Sequence, residues 1–302
     1  MRRNLLLATA VSVTAVALAA SGCGSDGSAD AGGDEQPTLV VTTSVLGDAV
    51  EELVGGEAEV AVVMPAGTDP HDFQPSARQA VDIREADLLV TNGGGFEAGL
   101  DDTLEAAEAD GASVVRALDS VDRIDDDPHF FTDPARMADA AEALATTLSA
   151  EVPALDTPAF RERARTYVAE LEGLDAEVEA ILASVPPERR KLVTNHDVFA
   201  SFADRYGFTV VGSVIPAVTT GAEPNAGELD ELAATIEAEG VPAIFADTSA
   251  PERLADALAG EVGDVEVVEL YSESLGEPGS DGDTYLAMMT TNAERIAAAL
   301  SG

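Results

Sequence analysis

From residue 37 onward, short runs of aliphatic and β-branched residues alternate with longer stretches whose apolar positions recur every three or four residues. The short runs fall at 39–42, 60–64, 88–91 and 113–117, each about the length of a strand buried on both faces. Helical spacing appears near 45–54, 75–86, 98–109 and 134–150. The same plan resumes with strand candidates at 191–195, 209–213, 243–247 and 265–270, and helix candidates near 197–206, 225–239, 251–260 and 283–300. Alternation of this kind predicts parallel sheets with helices on their faces. The expected fold class is α/β, with two lobes that are each a roughly four-stranded parallel sheet with flanking helices. The halves share this plan but no sequence repeat.

A different pattern lies between them. Thr157 is a good N-cap, and Pro158 suits the first helical position. Phe160, Ala164, Tyr167, Val168, Leu171, Leu174, Val178, Ile181 and Leu182 then follow at helical spacing, and Pro186 and Pro187 end the run. The expectation is one long rigid helix, about 40 Å at 1.5 Å per residue, acting as a stiff spine between the lobes. The domain plan is therefore 37–152 for the N-terminal lobe, 153–186 for the linking helix and 187–302 for the C-terminal lobe.

The first residues read as a targeting signal. Arg2 and Arg3 precede an apolar run over 5–20, then small residues, then Cys23. The run is short for a membrane span, which needs about 20 apolar residues, and the layout is that of a secretory signal over 1–22. The stretch ASGC resembles a bacterial lipobox, which makes Cys23 the expected lipidation site. Ala20 stands where Leu is usual. Residues 24–36 carry no large apolar side chain, so 23–36 is expected to be a flexible tether.

Charge and composition narrow the chemistry. The formal net charge is -41, from 57 acidic and 16 basic residues. Such a surface repels nucleic acid, and solvation is its plain meaning. With aromatics at 4% and Trp absent, the core is expected to be built from Ala, Val, Leu and Ile. A single cysteine excludes an intramolecular disulfide and a Cys-rich zinc site, leaving imidazole and carboxylate as metal ligands.

There are three histidines. His71 lies in TDPHDFQPS past the second predicted strand, His129 in DDPHFFTDP past the fourth, and His196 in TNHDVF past the fifth. In open α/β sheets, ligands bind beyond the carboxyl ends of strands. A cleft between lobes would bring the three together, and the prolines before His71 and His129 stiffen their loops. Three imidazoles leave a tetrahedral metal one ligand short. The last predicted strand runs into LYSESLGEPG, and Glu273 is the carboxylate at its end.

With these residues in view, the chain resembles the zinc/manganese solute-binding proteins of bacterial ABC importers over about 38–300. The resemblance rests on PAGTDPHDFQPS, ADLLVTNGGGFE, DPHFFTDP, TNHDVFASFADRYGF, IPAVTTGAEPNAGEL and YSESLGEPGSDGDTYLAMMTTN, in that order. It implies two α/β lobes joined by a rigid helix, with one buried metal between them. His71, His129 and His196 match the first three ligand positions and Glu273 the fourth. The fourth is typically Asp, so this chain departs by one methylene, and Asp281 and Asp283 are nearby alternatives. Manganese members tend to carry Glu at the third position. His196 there points to Zn2+ as the transported ligand, with Mn2+ the alternative. No His-rich loop precedes His129. The implied partners are the membrane permease and ATPase of an ABC importer, with the protein a monomer held by lipid on the outer face of the cell membrane.

Rival readings follow from the same residues. Three histidines with an open position would suit a zinc-dependent hydrolase, but there is no HExxH motif and Glu273 would close the site. A siderophore or vitamin carrier needs an aromatic or apolar pocket, which the aromatic shortage disfavours. A surface adhesin or metal-storage lipoprotein would share the metal site.

Overall fold

Residues 36–215, 220, 224–249, 253–263 and 265–302 are described by the structure, a computed structural model. The expectations about the signal, Cys23 and the tether up to residue 35 lie outside the described residues. Gln36–Gly302 forms one compact unit that contains both sheets.

The first sheet joins β1 (Thr38–Val41), β2 (Glu59–Val62), β3 (Leu88–Thr91) and β4 (Val114–Arg116) in the order β2-β1-β3-β4. The second joins β5 (Lys191–Thr194), β6 (Thr209–Ser213), β7 (Ala243–Asp247) and β8 (Glu266–Leu270) in the order β6-β5-β7-β8. Every pairing is parallel, so both lobes have the same topology without a shared sequence. β3 and β7 are buried along their whole length, which explains why they read as unbroken apolar runs rather than alternating ones.

Helices α1 (Ser44–Val54), α2 (Ala77–Glu85), α3 (Asp101–Ala109) and α4 (Pro134–Glu151) belong to the first lobe. Helices α6 (Ala200–Tyr206), α7 (Ala226–Glu239), α8 (Arg253–Val262) and α9 (Tyr285–Leu300) follow the linker. The linker helix itself, α5, spans Pro158–Leu182. Its start is set by the Thr157 side chain, which accepts the Phe160 N–H at 3.0 Å. Its 25 residues give a rod of about 37 Å. Phe160, Ala164, Tyr167, Leu171, Leu174, Val178 and Leu182 form its buried stripe, packed against α1, α4 and α9. One hydrophobic core therefore runs from the first sheet through α5 to α6 and α9, and two smaller cores sit on the outer sides of the lobes.

Three details depart from the sequence reading. The core is not purely aliphatic: Phe96, Phe130, Phe131, Phe160, Phe202, Phe245, Tyr167 and Tyr285 are among its largest fully buried side chains. Scarce aromatics were spent inside, where one ring buries more area than an aliphatic side chain. Helix α6 begins at Ala200 rather than 197, because the residues after β5 bend to present His196. The last helix begins at Tyr285 rather than near 283, so Asp283 does not cap it. Thr284 does, accepting the Ala287 N–H at 3.2 Å, while Asp283 accepts the Gly279 N–H at 2.8 Å. Among the described residues, no helix is long and apolar enough to cross a membrane.

Candidate metal centre

The four singled-out side chains come from loops past the carboxyl ends of β2, β4, β5 and β8. His71 stands in the turn after β2. The Asp69 carboxylate accepts the His71 N–H at 2.9 Å through one oxygen and the Thr220 hydroxyl at 2.7 Å through the other. His129 ends an identical Asp-Pro-His tripeptide. Asp127 Oδ1 accepts the His129 N–H at 3.0 Å and lies 2.6 Å from Nδ1. That contact puts a proton on Nδ1 and leaves Nε2 free to bind an ion. His196 follows β5, its carbonyl accepting the Thr194 hydroxyl at 2.7 Å.

The three rings converge on one oxygen. Glu273 Oε1 lies 3.0 Å from His196 Nε2, 3.2 Å from His129 Nε2 and 2.7 Å from His71 Nε2, the last off the hydrogen-bond direction. One ligand atom from each residue falls within 4.8 Å of the others. Bonds of 2.0–2.1 Å to a tetrahedral ion would separate donor atoms by about 3.3 Å, close to the distances from Glu273 Oε1 to the three rings. Glu273 is 2% exposed, and His129 and His196 are fully buried. Burial works to raise the Glu273 pKa, but the three imidazoles outweigh it and hold the carboxylate well below its ordinary range. For His129, burial works to lower the pKa, and Asp127 with Glu273 overrides it, raising the ring to about 9. A buried anion ringed by imidazoles is a place made for positive charge. Glu273 Oε2 and the Nδ1 atoms of His71 and His196 have no hydrogen-bond partner among the described residues.

The supporting residues were not singled out from sequence. Phe96 sets its edge against His71 and His129, with ring centroids 5.3 Å and 5.5 Å away, and walls the cluster on one side. It is delivered by the TNGGGFE loop, where Gly93, Gly94 and Gly95 adopt φ of 87°, 71° and 79°, a run that side chains would strain. Buried Glu97 ties that loop down, accepting from the Thr42 hydroxyl at 2.6 Å and the Gly93 N–H at 3.1 Å. Asp247, at the end of β7, takes hydrogen bonds from Ser249 and Ser272. Burial, and next the charge of Glu273, raises its pKa to about 7. Asp127 had a readable signal in the repeated Asp-Pro-His, whereas Phe96 and Asp247 become neighbours only through the tertiary fold. Asp281 is engaged elsewhere, accepting from Tyr271 Oη at 2.7 Å and pairing with Arg295 at 2.8 Å.

Known proteins resemble this chain in sequence and fold. A family model described as ZnuA, zinc-uptake complex component A periplasmic, matches residues 39–299. Zinc-binding protein TroA of Treponema pallidum is 33% identical over 288 residues, spanning 91% of this chain and 92% of that protein. Manganese-binding lipoprotein MntA of Bacillus subtilis is 29% identical over 313 residues, spanning 99% of this chain and 100% of that protein. The solved structure of the periplasmic zinc binding protein TroA superposes with a TM-score of 0.83 at 31% identity, covering 89% of this chain and 100% of that one.

Proposed function

Because this chain belongs to the family of periplasmic component A proteins of zinc-uptake complexes, we propose that it captures a divalent transition metal outside the cytoplasm and delivers it to an ABC importer. The proposed ligands are Nε2 of His71, His129 and His196 and the carboxylate of Glu273. The observation that carries this reading is the convergence of three buried imidazole nitrogens on one buried carboxylate oxygen at 2.7–3.2 Å. The metal is the cargo, and the residues present fit it. Three imidazoles and one carboxylate suit zinc better than manganese, which favours more oxygen ligands. The TroA and MntA names divide between the same two metals, and the histidine at position 196 supports zinc over manganese. Glu273 fills the position that hydrolytic zinc sites leave to water, so the site is read as a carrier rather than an enzyme.

Cys23 is the proposed lipid anchor, holding the binding unit at the outer face of the membrane as a monomer. This rests on the ASGC stretch and on the lipoprotein name of MntA, whose match spans 99% of the chain. Elemental analysis and competition titration test the metal. One zinc per chain is expected, with binding weakening as pH falls, because protons compete with the ion for the ring nitrogens, His129 first. Full manganese occupancy with little zinc would overturn the choice of metal. Cys23→Ala is expected to move the protein from the membrane fraction to the soluble one. Retention on the membrane would refute the anchor.

A further inference from the structure

The segment after β8 changes lobes within three residues. Tyr271 belongs to the second lobe. Its N–H donates to Asn292 Oδ1 at 3.0 Å, and its carbonyl accepts from Asn292 Nδ2 at 2.6 Å. Ser272 donates to Asp247 at the end of β7, in the same lobe. Ser274 and Leu275 instead find their partners in the first lobe. The N–H of Gly67, in the turn leading to His71, donates to Ser274 Oγ at 2.8 Å and lies 3.2 Å from the Leu275 carbonyl. Ser44 Oγ, in the first turn of α1, accepts the Leu275 N–H at 3.1 Å and is 3.1 Å from Ser274 Oγ. Farther along, the Tyr285 N–H donates to Asp48 at 2.9 Å and the Tyr285 hydroxyl to the Phe131 carbonyl at 2.7 Å. Glu273 is the one residue between the two sets of bonds.

We propose, resting on the metal-carrier reading above, that Ser44 and Ser274 form a clasp across the lobes that positions Glu273 against the three histidines and sets how slowly the metal leaves. Neither hydroxyl touches the ion, so both are positioning residues. Ser272, Glu273 and Ser274 are each no more than 3% exposed and Ser44 is half-buried, so water reaches the clasp from the Ser44 side only and replaces a lost hydrogen bond there poorly. Glu273 hangs from a backbone held on one side by the second lobe and on the other by the first. With the clasp closed, its carboxylate cannot leave the imidazoles without breaking bonds to Ser44 and Gly67. With the clasp cut, Glu273 follows β8 and the second lobe, while His71 and His129 stay with the first. The same clasp ties the Glu273 loop to the Gly67 turn that leads into His71, so two ligands from different lobes share one support.

The test is a double-mutant cycle on zinc dissociation. Zinc-loaded wild type, Ser44→Ala, Ser274→Ala, Glu273→Ala and the two double variants are mixed with excess chelator, and release rates are recorded. Metal-free melting temperatures are measured in parallel. Each serine variant is expected to release zinc about tenfold faster than wild type, as loss of a part-buried hydrogen bond at the upper end of its usual range implies. In the Glu273→Ala background, where three histidines still hold the ion, the serine changes are expected to have no further effect. Equal acceleration with and without Glu273 would overturn the proposal, because the serines would then act on the fold at large. So would unchanged release in both serine variants. If Ser44→Ala melts too low to load, Ser274→Ala alone decides. Wild-type protein that holds no zinc or manganese would overturn the carrier reading itself, and the clasp with it.

Discussion

Two turns of this protein begin from the same three residues and end differently. Asp69-Pro70-His71 and Asp127-Pro128-His129 both fold so that the aspartate accepts the histidine N–H, at 2.9 Å and 3.0 Å. In the second turn the same carboxylate oxygen also reaches Nδ1, at 2.6 Å. In the first, the other oxygen turns away and takes the Thr220 hydroxyl from the opposite lobe at 2.7 Å. His71 Nδ1 is left without a partner among the described residues. The local sequence makes the turn, and the surroundings choose the second job of the aspartate. In one turn it orients the ring of a proposed ligand, and in the other it ties two lobes together.

Glu273→Ala sets the upper end of the scale, because both turns aim their rings at this carboxylate. Outer partners of metal ligands commonly cost 10–100-fold in affinity when lost, so a ligand itself should cost at least about 100-fold. Competition titration with a chelator measures it, with Asp281→Ala as the neighbour expected to change nothing. A larger loss in Asp281→Ala would show that the ligand comes from the following loop instead.

The comparison itself is sharpened by Asp127→Asn beside Asp69→Asn. The former removes the acceptor that fixes the His129 tautomer and should weaken zinc binding about 10-fold or more. The latter leaves every ring contact in place and should change affinity less than about threefold, since the turn is kept. Equal losses would mean that both aspartates merely shape loops.

Asp48 provides a control away from both turns. Burial is the main cause of its raised pKa of about 6, opposed by the Tyr285 N–H and reinforced by Glu52, Glu51 and Asp283. The folded protein thus prefers the protonated form. Its contribution to stability is fully present below the unfolded value near 4 and is lost as pH rises through about 6. Asp48→Asn should keep the acceptor for Tyr285, flatten this dependence and stabilise the metal-free protein above pH 7 by roughly 1–2 kcal/mol. Denaturant melts between pH 4 and 8 check the sign. A variant less stable than wild type at pH 7 would refute it.

The smallest effect is expected from Thr220→Val, which cuts the tie between Asp69 and the second lobe. One partly exposed hydrogen bond contributes about 0.5–1.5 kcal/mol. A change in zinc affinity below about threefold is expected, together with faster release, read by the same chelator trapping. Slower release would show that the tie opposes the bound state.

Much of this is legible in the amino-acid sequence. The central strands β1, β3, β5 and β7 and the long helix α5 announced themselves because parallel strands buried on both faces read as continuous apolar runs, and because a two-sided spine needs a regular stripe from Phe160 to Leu182. The placement of the three histidines past strand ends was legible for the same topological reason. Boundaries were less so: whether 197–199 continue helix α6 depends on how His196 must be presented, and no local preference encodes that. Asp283 and Thr284 are both good caps by residue type, and the choice of Thr284 came from the loop geometry that gives Asp283 the Gly279 N–H instead.

Local chemistry and periodicity thus decided the α/β class, the strand and helix order, and which side chains were candidates for holding a metal. Those properties depend on contacts within a few residues, and the chain carries them wherever it is placed. The convergence of four loops on one oxygen, the wall made by Phe96, the tie from Asp69 to Thr220, and the hold of Ser44 on the Glu273 loop all join residues from 25 to 231 positions apart. Such contacts exist only once α5, α9 and the two sheets have packed, because their geometry is set by the shared core and not by any segment alone.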